Sequence, residues 1–291
     1  MKHQLHESDK KTIEQLKKKC CFDYEINDDF CTKISFYKET EIFGSTIRKN
    51  TDKDEILKLV STFPKLKHLN IRKSRVNFLP EFTTRSLEFL DISCNNLQYF
   101  PTWILKQTHL KNLNLGANNI ENIPDLSHIE LETIKLHKNK IKIIPKVNPS
   151  CKCMNLYLNT EISDYSENMK QLINLETFTF GVSEIKHMPP ILHWPKLKWL
   201  TITVTKISNI DDICKLKNLE GLQLAKNNIE SLPEQIGTTN IKHLTLYSNK
   251  IKNIPDSFYK LKLNKLNLEK NPLICKNKLF EIYKNIEFFK V

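Results

Sequence analysis

Cysteine and histidine are the residues of this chain whose types and spacing could supply metal-binding or nucleophilic chemistry. Cys151 and Cys153 are separated by one residue, but no second pair with a C-x-C or C-x-x-C spacing completes a zinc site. Cys94 lies beside Asn95, and no neighbouring residue in the sequence would act as its base. The nine histidines are scattered, and the sequence has no glycine-rich phosphate loop and no H-E-x-x-H motif. We therefore expect no enzyme activity, no metal and no cofactor.

The charge balance of the chain is basic. Among 291 residues, 45 are Lys or Arg and 33 are Asp or Glu, which gives a formal charge of +12. Such an excess favours an acidic partner, whether protein, nucleic acid or lipid, although Lys-rich composition from an AT-rich genome is an alternative explanation. The first residues lack the apolar run of a signal peptide, and no segment has the 18 apolar residues that a membrane span needs. We expect a soluble, cytoplasmic protein.

A repeated spacing of apolar residues organises most of the chain. From Leu219 the sequence LEGLQLAKNNIESLP places apolar residues at offsets 0, 3, 5, 10 and 13 and Asn at offset 8, which fits neither a helix nor a strand. The pattern recurs every 21 to 23 residues, and its copies begin at Leu66, Leu87, Leu110, Leu131, Cys153, Leu175, Leu197, Leu219, Ile241 and Leu263. One copy cannot bury its own apolar edge, so the copies are predicted to stack.

Offset 8 is the predicted corner of each coil, where an Asn side chain bonds to backbone groups of the adjoining turn. It is Asn in six copies, namely Asn95, Asn118, Asn139, Asn227, Asn249 and Asn271. In the other four copies the corner is read as Ser74, Glu161, Ser183 and Thr205.

The pattern L-x-x-L-x-L-x-x-N-x-I-x-x-I/L-P resembles the leucine-rich-repeat family, in its short cytosolic type, over about residues 64 to 275. The resemblance implies an α/β repeat solenoid, a horseshoe or arc of about ten repeats with a parallel sheet on its concave side. The proteins that it resembles act as cytosolic scaffolds, as phosphatase or small-GTPase regulators, and as host-directed effectors of intracellular bacteria. The eight cysteines do not resemble the paired-cysteine caps of extracellular members, and we interpret them as reduced thiols, most of them in apolar sites.

Three segments follow from this pattern: an N-terminal cap at residues 1–65, repeats at 66–275 and a C-terminal cap at 276–291. In the first cap we expect a helix from Ser8 to about Cys21, a strand-like segment, and a second helix after Thr51 and Asp52. The spacing Cys31-x-x-Ile34-x-Phe36 predicts either an edge strand or a degenerate first turn of the repeat. The apolar residues expected to face the protein from the two helices are Ile13, Leu16, Cys20, Ile56, Leu57, Val60 and Phe63. Those expected to cover the last open edge are Leu279, Phe280, Ile282, Tyr283 and Ile286.

Alternation along each predicted strand sends offsets 2, 4 and 6 away from the core. From these rows we select ten candidate partner-binding residues: Arg72, Phe89, Lys135, His137, Tyr157, Trp199, Gln223, His243, Tyr247 and Lys265. Trp199 is the central candidate, because exposed aromatic residues are enriched at binding hot spots. Its neighbours are small, so we expect a partner side chain to lie flat against its ring; they are Thr177, Thr179, Thr201, Gly181 and Gly221. The alternative is that Trp199 packs on its own sheet.

The same face is predicted to be basic. With offset 7 included, seven basic residues (Arg72, Lys73, Lys135, Lys138, Lys226, Lys265 and Lys270) stand against Asp91 and Glu269. This excess predicts attraction to an acidic protein surface. RNA or a ribosomal surface is the alternative, because aromatic residues interleaved with Lys can stack on bases. The face is rich in Thr and Asn and has one Arg, so we favour a protein partner over RNA. We also expect the protein to be a monomer.

Overall fold

The computed structural model describes residues 5–20, 22–36, 50–274 and 276–291, with only the backbone described at 50–53. Cys21, Cys275 and the side chains of Thr51 and Asp52 lie outside the described residues. The chain forms two compact units: unit 1 contains Met1–Lys140 and Pro145–Asn148, and unit 2 contains Ile141–Ile144 and Pro149–Val291. No helix in the described part of the chain is long and apolar enough to cross a membrane.

Unit 1 begins with a helix and a β-hairpin and continues as a parallel sheet. Its elements are α1 (Glu7–Lys19), β1 (Asp23–Asn27), β2 (Phe30–Ser35), α2 (Asn50–Ser61), β3 (His68–Asn70), β4 (Phe89–Asp91), β5 (Asn112–Asn114) and β6 (Thr133–Lys135). Strands β1 and β2 are antiparallel, and each pair from β2 to β6 is parallel. A short 3-10 helix, Thr102–Lys106, joins β4 to β5.

The N-terminal elements agree with the sequence prediction except for β1. Helix α1 begins one residue before the predicted start, with His6 as its N-cap. Every residue predicted to be buried in this cap is buried. The Asp9 carboxylate accepts the backbone N–H of Cys31 at 2.8 Å, and this bond joins α1 to β2. Strand β1 was missed because its sequence, DYEIN, is exposed or half-buried throughout and lacks a buried apolar row.

Unit 2 is a parallel sheet whose strands follow one another in sequence order. Its elements are β7 (Cys153–Asn155), β8 (Thr177–Gly181), β9 (Trp199–Thr203), β10 (Gly221–Gln223), β11 (His243–Thr245), β12 (Lys265–Asn267), α3 (Lys276–Tyr283) and β13 (Phe288–Lys290). The strands are joined by 3-10 helices at Glu167–Gln171, Ile191–His193, Asp211–Lys215, Ile236–Thr238 and Asp256–Lys260. The predicted α/β repeat solenoid is thus confirmed within each unit.

The C-terminal cap differs from the prediction. Leu279 and Tyr283 are buried, but Phe280 is 57% exposed and Ile282 is 45% exposed. The reason is that β13 covers the edge of the sheet by pairing with β12, so α3 buries only one of its sides. The hydroxyl of Tyr283 donates to the carbonyl of Phe258 at 3.0 Å and anchors the helix.

In each repeat, a residue with a left-handed backbone conformation precedes the corner residue. The residue at offset 7 has φ between 54° and 63° in every repeat, although none of these ten residues is glycine. At the corner, the Asn227 amide donates to the carbonyls of Ile202 (2.9 Å) and Leu224 (3.0 Å). Its carbonyl oxygen accepts the N–H of Ile207 at 3.3 Å. One side chain therefore satisfies backbone groups of two successive coils, as predicted for the corner Asn.

One repeat is out of phase with the sequence prediction by two residues. Strand β7 pairs Cys153 with Thr177, so Cys153 stands at offset 2, and the fully buried Cys151 is the first residue of the repeat. The corner is therefore Asn159, which is fully buried and donates to the Leu156 carbonyl at 2.9 Å. The predicted corner, Glu161, is exposed instead. The phase was misassigned because Cys replaces Leu at offset 0, and the repeat lengths on either side are 20 and 24 residues.

Candidate functional site

The outward face of the sheet in unit 1 is polar and basic. Arg72 and Lys135 are exposed there, as are Lys73 and Lys138 at offset 7. Asp91, the acidic residue of strands β3 to β6 on this face, is only 9% exposed. Its carboxylate accepts the Ser93 N–H and the Asn114 amide, each at 2.9 Å. On strands β3 to β6, four exposed cations therefore stand against one carboxylate that is held inside the protein. Strand β1 adds the exposed Glu25 to the same face, where it pairs with Lys33 of β2.

His137 lies within this basic surface. A Cβ at Gly116 would be 2.1 Å from the His137 ring, so the ring fills the space above that glycine. Burial and the positive charges of Lys138, Lys135 and Arg72 lower the pKa of His137, and these effects outweigh Asp91, which raises it. The imidazole is therefore mainly neutral at pH 7. Its buried Nδ1 has no hydrogen-bond partner within the described residues.

Phe89, the aromatic candidate of unit 1, packs against a side chain of the neighbouring strand β3. Its ring stacks on His68 with the centroids 5.8 Å apart and an interplanar angle of 20°. Phe89 is half-buried by this contact, whereas His68 is exposed.

The outward face of unit 2 is built around Trp199. Its ring lies over Gly221, where a Cβ would be 2.0 Å from the ring. The ring also contacts His243, with centroids 5.2 Å apart and an interplanar angle of 30°. Trp199 nevertheless remains 39% exposed. Gly221 leaves no room for a partner, because the indole itself fills that space and offers its other side to solvent.

Gly181 is occupied in a similar way. A Cβ there would be 2.2 Å from the Thr203 carbonyl oxygen and 3.0 Å from the ring of Tyr157. Tyr157 stands at offset 6, two positions from the predicted offset 4, and it still belongs to the outward rows. On this face the rings and the glycines are therefore complementary, and each ring has a defined position.

Strands β8 and β9 are five residues long, whereas the other strands of unit 2 have three. The residues that follow them are Val182 and Val204, whose left-handed φ values of 63° and 58° are strained for β-branched residues. Val204 is 37% exposed, so it adds apolar surface to the strand that carries Trp199. The sequence prediction did not include Val182 or Val204 among the candidate binding residues. Both stand at offset 7, where four other repeats have Lys, and this substitution of Lys by Val could have identified them.

The remaining candidates of unit 2 are distributed over the later strands. Gln223 is exposed, and the Nζ atom of Lys270 lies 5.2 Å from the centroid of the Tyr247 ring. A hydrogen bond to Tyr247 raises the pKa of Lys270. Lys265 is half-buried and pairs with Glu287 at 3.0 Å, so it is not a free charge on this face. The predicted count of seven bases against two acids omitted Glu287 because that residue lies in the C-terminal cap.

The thiols of the described residues differ in their exposure to solvent. The six described cysteines are free; Cys20, Cys31 and Cys151 are buried, and Cys94, Cys153 and Cys214 are partly exposed. Three of the six described cysteines are thus buried. Burial raises the pKa of Cys31 and of Cys151 to about 12, which keeps both thiols protonated. The described residues contain no group of three or more His, Cys, Asp or Glu that could hold a metal ion.

Comparisons with known proteins agree with this geometry. Residues 217–273 match the family described as Leucine rich repeat. An adenylate cyclase of Schizosaccharomyces pombe is 28% identical over 149 residues, which is 49% of this chain and 8% of that protein. Toll-like receptor 2 of Bubalus bubalis is 36% identical over 83 residues, which is 28% of this chain and 10% of the receptor. The chain thus spans a tenth or less of the length of these relatives.

Solved structures are similar over more of the chain. A leucine-rich-repeat protein of Leptospira interrogans has a TM-score of 0.65 and 24% identity over 80% of this chain and 68% of its own. An internalin of Listeria monocytogenes has a TM-score of 0.60 and 18% identity over 88% and 79%. YopM, a leucine-rich effector protein from Yersinia pestis, has a TM-score of 0.58 and 20% identity over 72% and 57%. At these identities the likeness establishes the fold.

Proposed function

We propose that this chain, a leucine-rich-repeat protein by its fold and its repeated sequence, is a non-enzymatic module that binds another protein. The binding surface in this proposal is the outward face of the sheet in unit 2, centred on Trp199. The observation that carries the proposal is the Trp199 ring, which is held between Gly221 and His243 and still 39% exposed.

The position of this ring is favourable for binding. An exposed Trp has a large apolar surface, and burying it contributes strongly to association. Because Gly221 and His243 already hold the ring, little side-chain entropy is lost when a partner covers it. Val204, which directly follows β9, is 37% exposed and extends the apolar surface.

Charge favours an acidic protein partner. In unit 2, Lys226 and Lys270 are exposed at offset 7, and unit 1 has its own four exposed cations. RNA is the second candidate, since a basic surface also attracts phosphates. The single Arg on the predicted face supports the protein partner, because nucleic-acid surfaces use Arg for both stacking and phosphate contacts.

We further propose that the protein acts as a monomer in the cytoplasm, as a regulatory scaffold or as an effector that reaches a host cytosol. The six free thiols support a reducing compartment. The effector role is supported by the likeness to the Yersinia pestis effector.

Affinity capture with matched variants tests this function. Trp199→Ala combined with Tyr157→Ala should reduce capture of the partner, while the melting temperature changes little. Tyr99→Ala is the control, because Tyr99 is 82% exposed and lies outside the outward rows of the sheet. Equal capture by all three proteins would reject the proposed face. Loss of the captured partners on nuclease treatment would instead support the RNA candidate.

A further inference from the structure

A second concave feature of unit 2 lies where the chain enters the strands. It is a cavity of about 580 Å³, and its walls come from the segments that precede β9, β10, β11 and β12. Its charged lining consists of Lys198, Lys217, Glu220, Lys242, Lys260 and Lys262. We call this cavity the lysine pocket.

The lysine pocket contains uncompensated positive charge. Lys198 pairs with Glu176 at 2.8 Å, and Lys242 pairs with Glu220 at 3.1 Å. The other three lysines of the pocket, Lys217, Lys260 and Lys262, are exposed, and none of them forms an ion pair with a described residue. Three like charges around one cavity repel one another, and a bound anion would remove that repulsion.

The walls of the pocket are held by hydrogen bonds and close packing. The Asn240 side-chain amide donates to the carbonyl of Lys217 at 2.7 Å, which joins two neighbouring coils. The Asn218 amide donates to the carbonyl of Pro195 at 2.8 Å. A Cβ at Gly237 would be 1.9 Å from the carbonyl oxygen of Ser257, so the coils are in direct contact there. The cavity is therefore formed before any ligand binds.

Size and charge together define the ligand class. Lysine ammonium groups bind phosphate oxygens as point charges, without the planar geometry that Arg imposes on carboxylates. A cavity of about 580 Å³ is in the range of small-molecule sites and exceeds what a single phosphate fills. We propose that the lysine pocket binds a compact polyphosphate anion, with two or more phosphate groups contacting Lys217, Lys260 and Lys262.

Titration calorimetry of the full chain with inorganic tripolyphosphate tests this site. We expect saturable binding that weakens by about tenfold or more in Lys217→Gln/Lys260→Gln/Lys262→Gln. The matched control is Lys186→Gln/Lys250→Gln/Lys252→Gln, which removes three exposed lysines of unit 2 outside the pocket and should bind like the parent protein. Melting temperatures of both variants show whether they are folded.

Three results would overturn the proposal: no saturable binding, equal weakening in the two triple variants, or sulfate binding as tightly at the same ionic strength. The last two would mean that only the net charge attracts anions. Both triple variants keep Trp199 and Tyr157, so partner capture on the outward face is measured independently of this site.

Discussion

The indole ring of Trp199 occupies the space that a side chain at Gly221 would need. A Cβ at Gly221 would be 2.0 Å from the ring, whereas the backbone of Gly221 does not have the positive φ that only glycine adopts easily. Gly221 is therefore required by the neighbouring ring and not by its own conformation. A single methyl group added at Gly221 can therefore move the Trp199 ring without changing the backbone conformation of the strand.

Gly221→Ala should displace the Trp199 ring and reduce partner capture. Crowding of this kind costs about 1–3 kcal/mol of unfolding free energy, so the variant should still fold. Tryptophan fluorescence, urea unfolding and capture measure the three effects. Glu230→Ala, at an exposed position of the same repeat outside the outward rows, is the control. Unchanged fluorescence and capture in Gly221→Ala would contradict this account of the site.

Asn227→Ala should destabilise the protein by about 2–4 kcal/mol, because it leaves several buried backbone groups without partners. The comparison variant is Asn228→Ala, which removes a neighbouring amide that is not at the corner. Chemical denaturation of both variants gives the difference in unfolding free energy. Equal stability of the two variants would show that the corner hydrogen bonds do not stabilise the coil.

Val204→Asn should stabilise the protein by about 1 kcal/mol, since Asn tolerates the left-handed conformation that Val204 adopts at φ 58°. The same change should weaken partner capture if Val204 belongs to the binding surface. Thr203→Asn, at the end of strand β9, should give no such gain. A destabilised Val204→Asn would mean that the packing of Val204 outweighs its backbone strain.

The stability of the protein should fall as the pH rises above about 9. The folded-state pKa values of Cys31 and Cys151 are raised from 9.0 to about 12, so their contribution is complete below pH 9 and is lost as the pH rises from 9 to 12. At pH 10 the loss is on the order of 1 kcal/mol for each thiol, and urea unfolding at pH 8 and 10 measures it.

Cys31→Ala combined with Cys151→Ala is the control for this pH dependence. It should lower stability at pH 8 through the cavities that it creates and should reduce the further loss at pH 10. An undiminished loss in the double variant would assign the pH dependence to other groups. In the folded protein a thiol reagent should modify Cys94, Cys153 and Cys214 before Cys31 and Cys151.

The repeat itself was predictable because the apolar residues at the same offsets form the core of every copy. Leu222 and Leu224 are fully buried, as their offsets predict, and Asn227 bonds to two coils. The predicted phase was wrong at Cys151, where an apolar residue other than Leu begins the repeat. It also missed β1 and β13, because these end strands lack the buried pattern of the strands between them.

The amino-acid sequence alone determined the coil, its parallel strands, its corner hydrogen bonds and the rows of residues that point outward, because these depend on spacing within about 22 residues. Tertiary structure decided how those outward residues are used. It set the Trp199 ring over Gly221, the His137 ring over Gly116 and the Lys265 ammonium beside Glu287. Each of these contacts joins different coils, and its geometry depends on side-chain rotamers that a repeated pattern of apolar residues does not specify.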